Sequence, residues 1–216
     1  MVPGRIVLLN GSSSAGKTTL ARTLQVLRDE PWFHLALDQF RDGMPPAYRG
    51  LNSPAGTPGE RGLNVVPVAH GEEMVTRVEF GDVGRRMLTG MHRAIAAFAR
   101  AGNDVIVDDL MLEQEVLDDY VVALEGFDVL FVGVRARLDV VNEREAQRPG
   151  RFPGTATSHF EAVHAHGSYD LEVDTSGTTA RECAEAISAA LDGPPTPRAF
   201  ERMRSRQPLP RPQSRR

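Results

Sequence analysis

The chain has one lysine, one cysteine and one tryptophan in 216 residues, and aromatic residues make up only 6% of it. A single cysteine, Cys183, excludes an internal disulfide and any thiolate-based zinc cluster, which points to a cytoplasmic protein. Ala180, Ala184 and Ile187 accompany it at helical spacing, so it reads as a buried helix residue rather than a nucleophile. No apolar run approaches the ~18 residues that span a bilayer. The short run after Arg5 lacks the form of a signal peptide, so no membrane partner is expected. The net charge of −4 supplies no basic surface for nucleic acid; the arginines that offset the acidic body are concentrated in residues 192–216.

The scarcity of lysine singles out the place where it does occur. Lys17 lies in Gly11-Ser12-Ser13-Ser14-Ala15-Gly16-Lys17-Thr18, which fits G-x-x-x-x-G-K-[ST]. The apolar run Ile6–Leu9 precedes it and a helical pattern, 17–28, follows, as a phosphate-binding loop requires. Gly11 and Gly16 let the backbone turn and approach an anion, and successive N–H groups at a helix N-terminus face it. Gly11, Ser12, Ser13, Ser14, Ala15, Gly16, Lys17, Thr18 and Thr19 are therefore the candidate nucleotide-binding residues, with Lys17 on the terminal phosphates and Thr18 on Mg²⁺.

Two carboxylate positions follow from the strand pattern. Phe33–Leu37 reads as a second strand ending at Asp38, and Val105–Val107 as a third closed by Asp108 and Asp109. In open α/β sheets ligands bind beyond the carboxyl ends of the strands. Asp38 can take a proton from an acceptor hydroxyl, help hold Mg²⁺, or cap the next helix; Asp108 or Asp109 is the candidate metal ligand. Side-chain alternation along a strand lets one of that pair face inward.

Residues 44–79 lose periodicity under a high density of Pro and Gly. They are expected to be an irregular, substrate-covering insertion, reckoned as 44–80, with a mobile middle around 52–62. An amphipathic helix over 80–101, a helix over 114–125, a fourth strand over 127–134, a fifth over 171–174 and a last helix over 179–191 complete the alternation. The fold class is α/β: one domain over 1–191 with a five-stranded parallel sheet flanked by helices. After the fourth strand, Arg144 and Arg148 share a helical face and Arg151 follows, an arginine-bearing lid over about 135–165 suited to a transferring phosphoryl group. Glu143, Glu145 and Asp139 are available as ion-pair partners in that stretch, and Arg137 is assigned to such a pair. His159, His164 and His166 lack the partners of a metal cluster. From Gly193 six prolines and several arginines predict a disordered basic tail over 192–216.

An ordered set of residues carries a resemblance over about 4–191: the Leu9–Lys17 loop, Pro31-Trp32, Asp38, Met44-Pro45, Ala99–Gly102, Asp108-Asp109, Val132–Arg135, Arg144-Glu145, Arg148, Arg151, Gly154, Val163-His164 and Tyr169–Thr175. The chain resembles the chloramphenicol phosphotransferase family of small P-loop kinases. That resemblance implies an ATP- and Mg²⁺-dependent kinase acting on a small molecule's hydroxyl, an antibiotic among the possible acceptors. It implies Asp38 as general base and Arg135 with the lid arginines near the phosphates. Phe40, Met44, Pro45 and Met111 are then the candidate acceptor contacts. The 46–80 stretch departs most from the family and leaves the acceptor open. A metabolite or nucleoside kinase and a non-transferring ATP-binding switch are the rival readings, and the sequence leaves the oligomeric state undetermined.

Overall fold

A computed structural model describes residues 2–148, 154–165, 168–193 and 197–206. In chain order it contains β1 (Ile6–Asn10), α1 (Lys17–Leu27), β2 (Trp32–Ala36), α2 (Leu37–Asp42), β3 (Arg49–Leu51), α3 (Pro58–Arg61), β4 (Leu63–His70) and β5 (Glu73–Phe80). There follow α4 (Asp82–Arg100), β6 (Asp104–Asp109), α5 (Gln114–Ala123), β7 (Val129–Arg135), α6 (Leu138–Ala146), α7 (Thr155–His159), β8 (Leu171–Asp174), α8 (Ala180–Leu191) and α9 (Ala199–Arg206).

Five strands form a parallel sheet in the order β2-β6-β1-β7-β8. Each is a short apolar run because both faces are covered. Along β1, Ile6 and Leu8 pack with Val105, Val107 and Phe131 under α4 and α5, whereas Val7 and Leu9 pack with Ile106, Leu130 and Val132 under α1 and α8. The helices present the matching stripes: Leu20, Ala21 and Leu24 from α1, Leu88, Met91, Ile95 and Ala99 from α4, and Cys183, Ala184 and Ile187 from α8. The expected five-stranded parallel sheet flanked by helices is the observed one. None of the helices among the described residues is long and apolar enough to cross a membrane.

Two stretches correct the sequence reading. The segment 44–80 is not irregular: β3, β4 and β5 make a second sheet, β3 parallel and β5 antiparallel to β4. Leu63 and Val65 alternate along β4 and are buried on one face with Phe80 of β5, with Val78 half-buried beside them. The prolines obscured this pattern. Pro67 is accommodated because β3 pairs only with Leu63–Val65, leaving Pro67 where β4 has a partner on one side alone. The region 52–62 includes the short helix α3, entered through Thr57, whose hydroxyl accepts from Glu60 N.

The tail, expected to be disordered, forms α9 over Ala199–Arg206. Ala199 and Phe200 are buried, with the Phe200 ring 5.4 Å from that of Phe131. Asp170 accepts hydrogen bonds from Ala199 N and Arg202, and Asp128 accepts from Arg198. Two apolar side chains and three satisfied arginines, Arg198, Arg202 and Arg204, the last donating to Val121 O, hold a segment that proline-rich composition alone would leave unfolded. Residues 207–216 lie outside the described residues.

Candidate active site

The loop between β1 and α1 runs across the carboxyl end of the sheet. Ser14 (φ 61°) and Gly16 (φ 92°) both adopt left-handed backbone, which turns successive N–H groups to one side. At Gly11 a Cβ would lie 2.5 Å from Val134 O, so the loop can pass β7 only without a side chain there. Lys17 Nζ donates to Gly11 O (2.8 Å) and Ser12 O (3.0 Å) and lies 3.8 Å from Asp108 Oδ1.

A cleft of about 870 Å³ opens over this loop. Ser13, Ser14, Gly16, Lys17, Thr18 and Thr19 border it, with Asp38 from α2, Asp108 from β6, and Arg144 and Arg148 from α6 and the turn after it. Gly11, Ser12 and Ala15 support the loop from behind; Ser12 and Ala15 are buried. Thr18 Oγ1 donates to Asp108 Oδ2 at 2.6 Å. Burial works to raise the pKa of Asp108, but the Lys17 charge, the neighbouring His34 imidazole and the hydrogen bond from Thr18 carry it below the usual carboxylate value. This hydroxyl and this carboxylate are hard oxygen donors of the kind Mg²⁺ accepts, few enough to leave room for phosphate oxygens and water.

Asp109 differs. It borders the same cleft but is 1% exposed, and its carboxylate accepts from Tyr120 OH and Leu110 N, both at 2.6 Å. Burial is the largest influence on it and raises its pKa. Strand alternation thus separates the pair, sending Asp108 to Thr18 and Asp109 to α5.

Asp38 is in the first turn of α2, since β2 ends at Ala36; the N-cap of α2 is Ala36, not Asp38. Its Oδ1 accepts from Arg41 Nη1 at 2.7 Å. Asp38 also borders a second cleft of about 650 Å³ between α2, the small sheet and Leu110. It therefore stands where the two clefts meet.

Arg144 is held over the loop through Thr175, just past β8. Arg144 donates to Thr175 Oγ1 (3.0 Å) and Thr175 O (2.7 Å), and Thr175 Oγ1 donates to Ala15 O (2.8 Å). Arg148 borders the cleft beside it, and Arg151 lies outside the described residues. Glu145, between the two arginines, pairs with neither: it is 6% exposed and accepts from Gly154 N and Ala156 N, both at 2.9 Å. The α7 turn it secures lies along β5: Ser158 Oγ donates to Thr76 O, Thr155 and Thr76 hydroxyls meet at 2.7 Å, and Val78 N donates to His159 Nε2. Arg137 pairs with Asp139 at 2.8 Å.

Several expected contacts are elsewhere. Arg135 is not at the phosphate loop; its Nε donates to Glu172 at 2.7 Å and its guanidinium lies over Tyr169, because the end of β7 is next to β8. Met44 and Met111 are buried in the core, Phe40 packs against that core, and Pro45 is exposed; none of the four lines the second cleft. Leu37, Leu63, Val65, Val78 and Leu110 line it instead. The sequence reading missed β4 and β5, and with them these contacts. It also passed over His34, in the middle of β2, whose Nε2 is 3.7 Å from Asp108 Oδ2, and Thr175, just past β8.

No cluster of three or more His, Cys, Asp or Glu able to hold a metal occurs among the described residues. His159 is instead a single buried imidazole and His164 a half-buried one. Burial above all, helped by nearby cationic charge, lowers each to a pKa of about 4.

Known proteins resemble the chain in both sequence and fold. A Mycobacterium tuberculosis protein named "Putative O-phosphotransferase" is 35% identical over 206 residues, covering 95% of this chain and 90% of that one. Among solved structures, the M. tuberculosis APS kinase CysC superposes with a TM-score of 0.61 at 15% identity, covering 89% of this chain and 100% of that one. A Janibacter sugar kinase does so with a TM-score of 0.60 at 19% identity, covering 88% and 95%. At those identities the likeness is one of fold, that of the P-loop kinases. Residues 4–192 match the family described as chloramphenicol phosphotransferase-like protein, and the chain belongs to that family.

Proposed function

We propose that the protein is an ATP- and Mg²⁺-dependent phosphotransferase that moves the γ-phosphoryl group to a hydroxyl of a small molecule, with antibiotics among the candidate acceptors. The observation that carries this reading is the position of Asp38, bordering both the cleft over the phosphate loop and the second cleft beside it. A nucleotide in the first and an alcohol in the second would meet at a carboxylate.

In that reaction the acceptor oxygen bonds to the γ phosphorus as the bond to the β–γ bridging oxygen breaks. The hydroxyl proton passes to Asp38, and ADP leaves. Lys17 and the loop N–H groups hold the β and γ phosphates. Thr18 and Asp108 would hold Mg²⁺, which offsets phosphate charge when bound. Asp109, engaged by Tyr120, supports the strand end rather than the metal. Arg144 and Arg148 face the same cleft, and Arg151 is assigned with them from the sequence pattern; such cations spread charge that develops in the transition state.

The test is phosphate gain by mass, with purified protein, Mg-ATP and a panel of hydroxylated antibiotics, nucleosides and sugars. Asp38→Asn is expected to lower kcat by roughly 10²–10⁴, and Lys17→Ala by about 10²–10³. Full phosphoryl transfer by both variants overturns the assignment.

A further inference from the structure

The second cleft is lined by two unlike sets of side chains. Leu63 and Val65 of β4, Val78 of β5 and Leu110 make an aliphatic floor, whereas Asp38, Arg41 and Asp42 from α2 and Arg49 from β3, the register partner of Leu63, are charged. A polyol brings a hydroxyl on nearly every carbon, and each one turned onto the aliphatic floor would lose its hydrogen bond to water without replacement. An apolar skeleton has no such cost and gains from burial there.

The two arginines also differ. Arg41 donates from Nε, Nη1 and Nη2 to the carboxylates of Asp38 and Asp42. Arg49 is held only by an ion pair of 3.7 Å to Asp42, beyond hydrogen-bond reach, and its guanidinium makes no hydrogen bond among the described residues. It is 39% exposed and borders the same cleft as Asp38. A planar fork of donors beside an aliphatic floor suits a carboxylate at one end of an apolar molecule.

We infer that the acceptor is a hydroxy acid with an apolar skeleton: its hydroxyl at Asp38, its body on Leu63, Val65 and Val78, and its carboxylate at Arg49. This rests on the phosphotransferase reading above and narrows it. The phosphoryl group goes to the hydroxyl oxygen as already balanced, and the carboxylate takes no part in the bond changes.

The experiment compares matched acceptors: 4-(hydroxymethyl)benzoate and 10-hydroxydecanoate, the methyl ester of each, and the polyols D-glucose and D-gluconate. Phosphate gain is read by mass, and binding in the presence of a non-hydrolysable ATP analogue by calorimetry. The acids are expected to exceed their esters in kcat/KM by about tenfold or more, the worth of one charge-assisted hydrogen bond. Arg49→Gln should bring that ratio towards one, while Arg49→Lys keeps part of it. A preference for the polyols, an acid-to-ester ratio near one in the unaltered protein, or an undiminished ratio in Arg49→Gln overturns the inference. Binding of the ATP analogue with no hydroxy acid bound or phosphorylated overturns it as well, leaving the kinase reading intact. Hydroxy-acid binding without any binding of the analogue overturns the kinase reading instead.

Discussion

Single side chains in this protein take their chemistry from what surrounds them. His159 accepts from Val78 N through Nε2, and His164 meets Tyr169 OH at 2.7 Å through Nδ1; both are neutral in the fold. Their pKa values of about 4 result from burial first and then from neighbouring cations, Lys17 and Arg77 for His159, Arg135 for His164. An unfolded histidine titrates near ~6.5. Between that pH and about 4 the unfolded chain binds more protons than the folded one, so stability is full above this window and falls as pH drops through it. Below about 4 both states are protonated and the contribution is gone. His159→Gln, which keeps an acceptor for Val78 N, is expected to make the decline of Tm between pH 6.5 and 4 shallower; an unchanged slope contradicts the assignment. A separate acid window belongs to Asp82 and Asp119, each lowered to about 2, the first by Arg61 and the second by His92 and Arg93 against the cost of burial. Their stabilisation is present above the ordinary carboxylate pKa and is lost as pH falls towards 2.

Among the elements, α6, α7 and β5 act together. Glu145 fastens the backbone of the α7 turn to the helix that carries Arg144 and leads into Arg148, and α7 in turn is hydrogen-bonded along β5, a wall of the second cleft. The glycine at the turn, Gly154, has φ 76° and no room for a side chain, since a Cβ would lie 2.9 Å from Val75. Glu145→Ala leaves two amide N–H groups without their acceptor and is expected to destabilise the protein by about 2–5 kcal/mol. Because Arg144 shares its helix and Arg148 follows it, the substitution should also lower kcat more than it raises the KM for nucleotide. Chemical denaturation and steady-state kinetics check the two parts, and a loss confined to stability would mean that Glu145 holds the fold alone. Its role was not legible in the sequence, where an acid between arginines reads as their ion-pair partner at helical spacing. The Arg144/Arg148 row and the phosphate loop were legible, because each is a local pattern on one element.

At the scale of the whole molecule, α9 closes the flank of β7. Phe200 is 1% exposed against Phe131, so Phe200→Ala removes a large buried ring and is expected to cost about 3–5 kcal/mol. At roughly 2–4 °C per kcal/mol for a chain of this size, Tm should fall by about 6 °C or more; a shift under ~2 °C would show that α9 is dispensable. The sequence by itself determined the phosphate loop, the five parallel strands, the acids at their ends and the membership of a phosphotransferase-like family. These depend on short-range order: a Gly-rich turn between a strand and a helix, or a buried apolar run, announces itself within about ten residues. Tertiary structure decided which of Asp108 and Asp109 meets Thr18, that Arg135 turns to Glu172, that Met44 and Met111 are core, and that β4 and β5 form the floor beside Asp38. Each of these depends on which surfaces meet across the sheet, and residues far apart in the chain set that only once the core has packed.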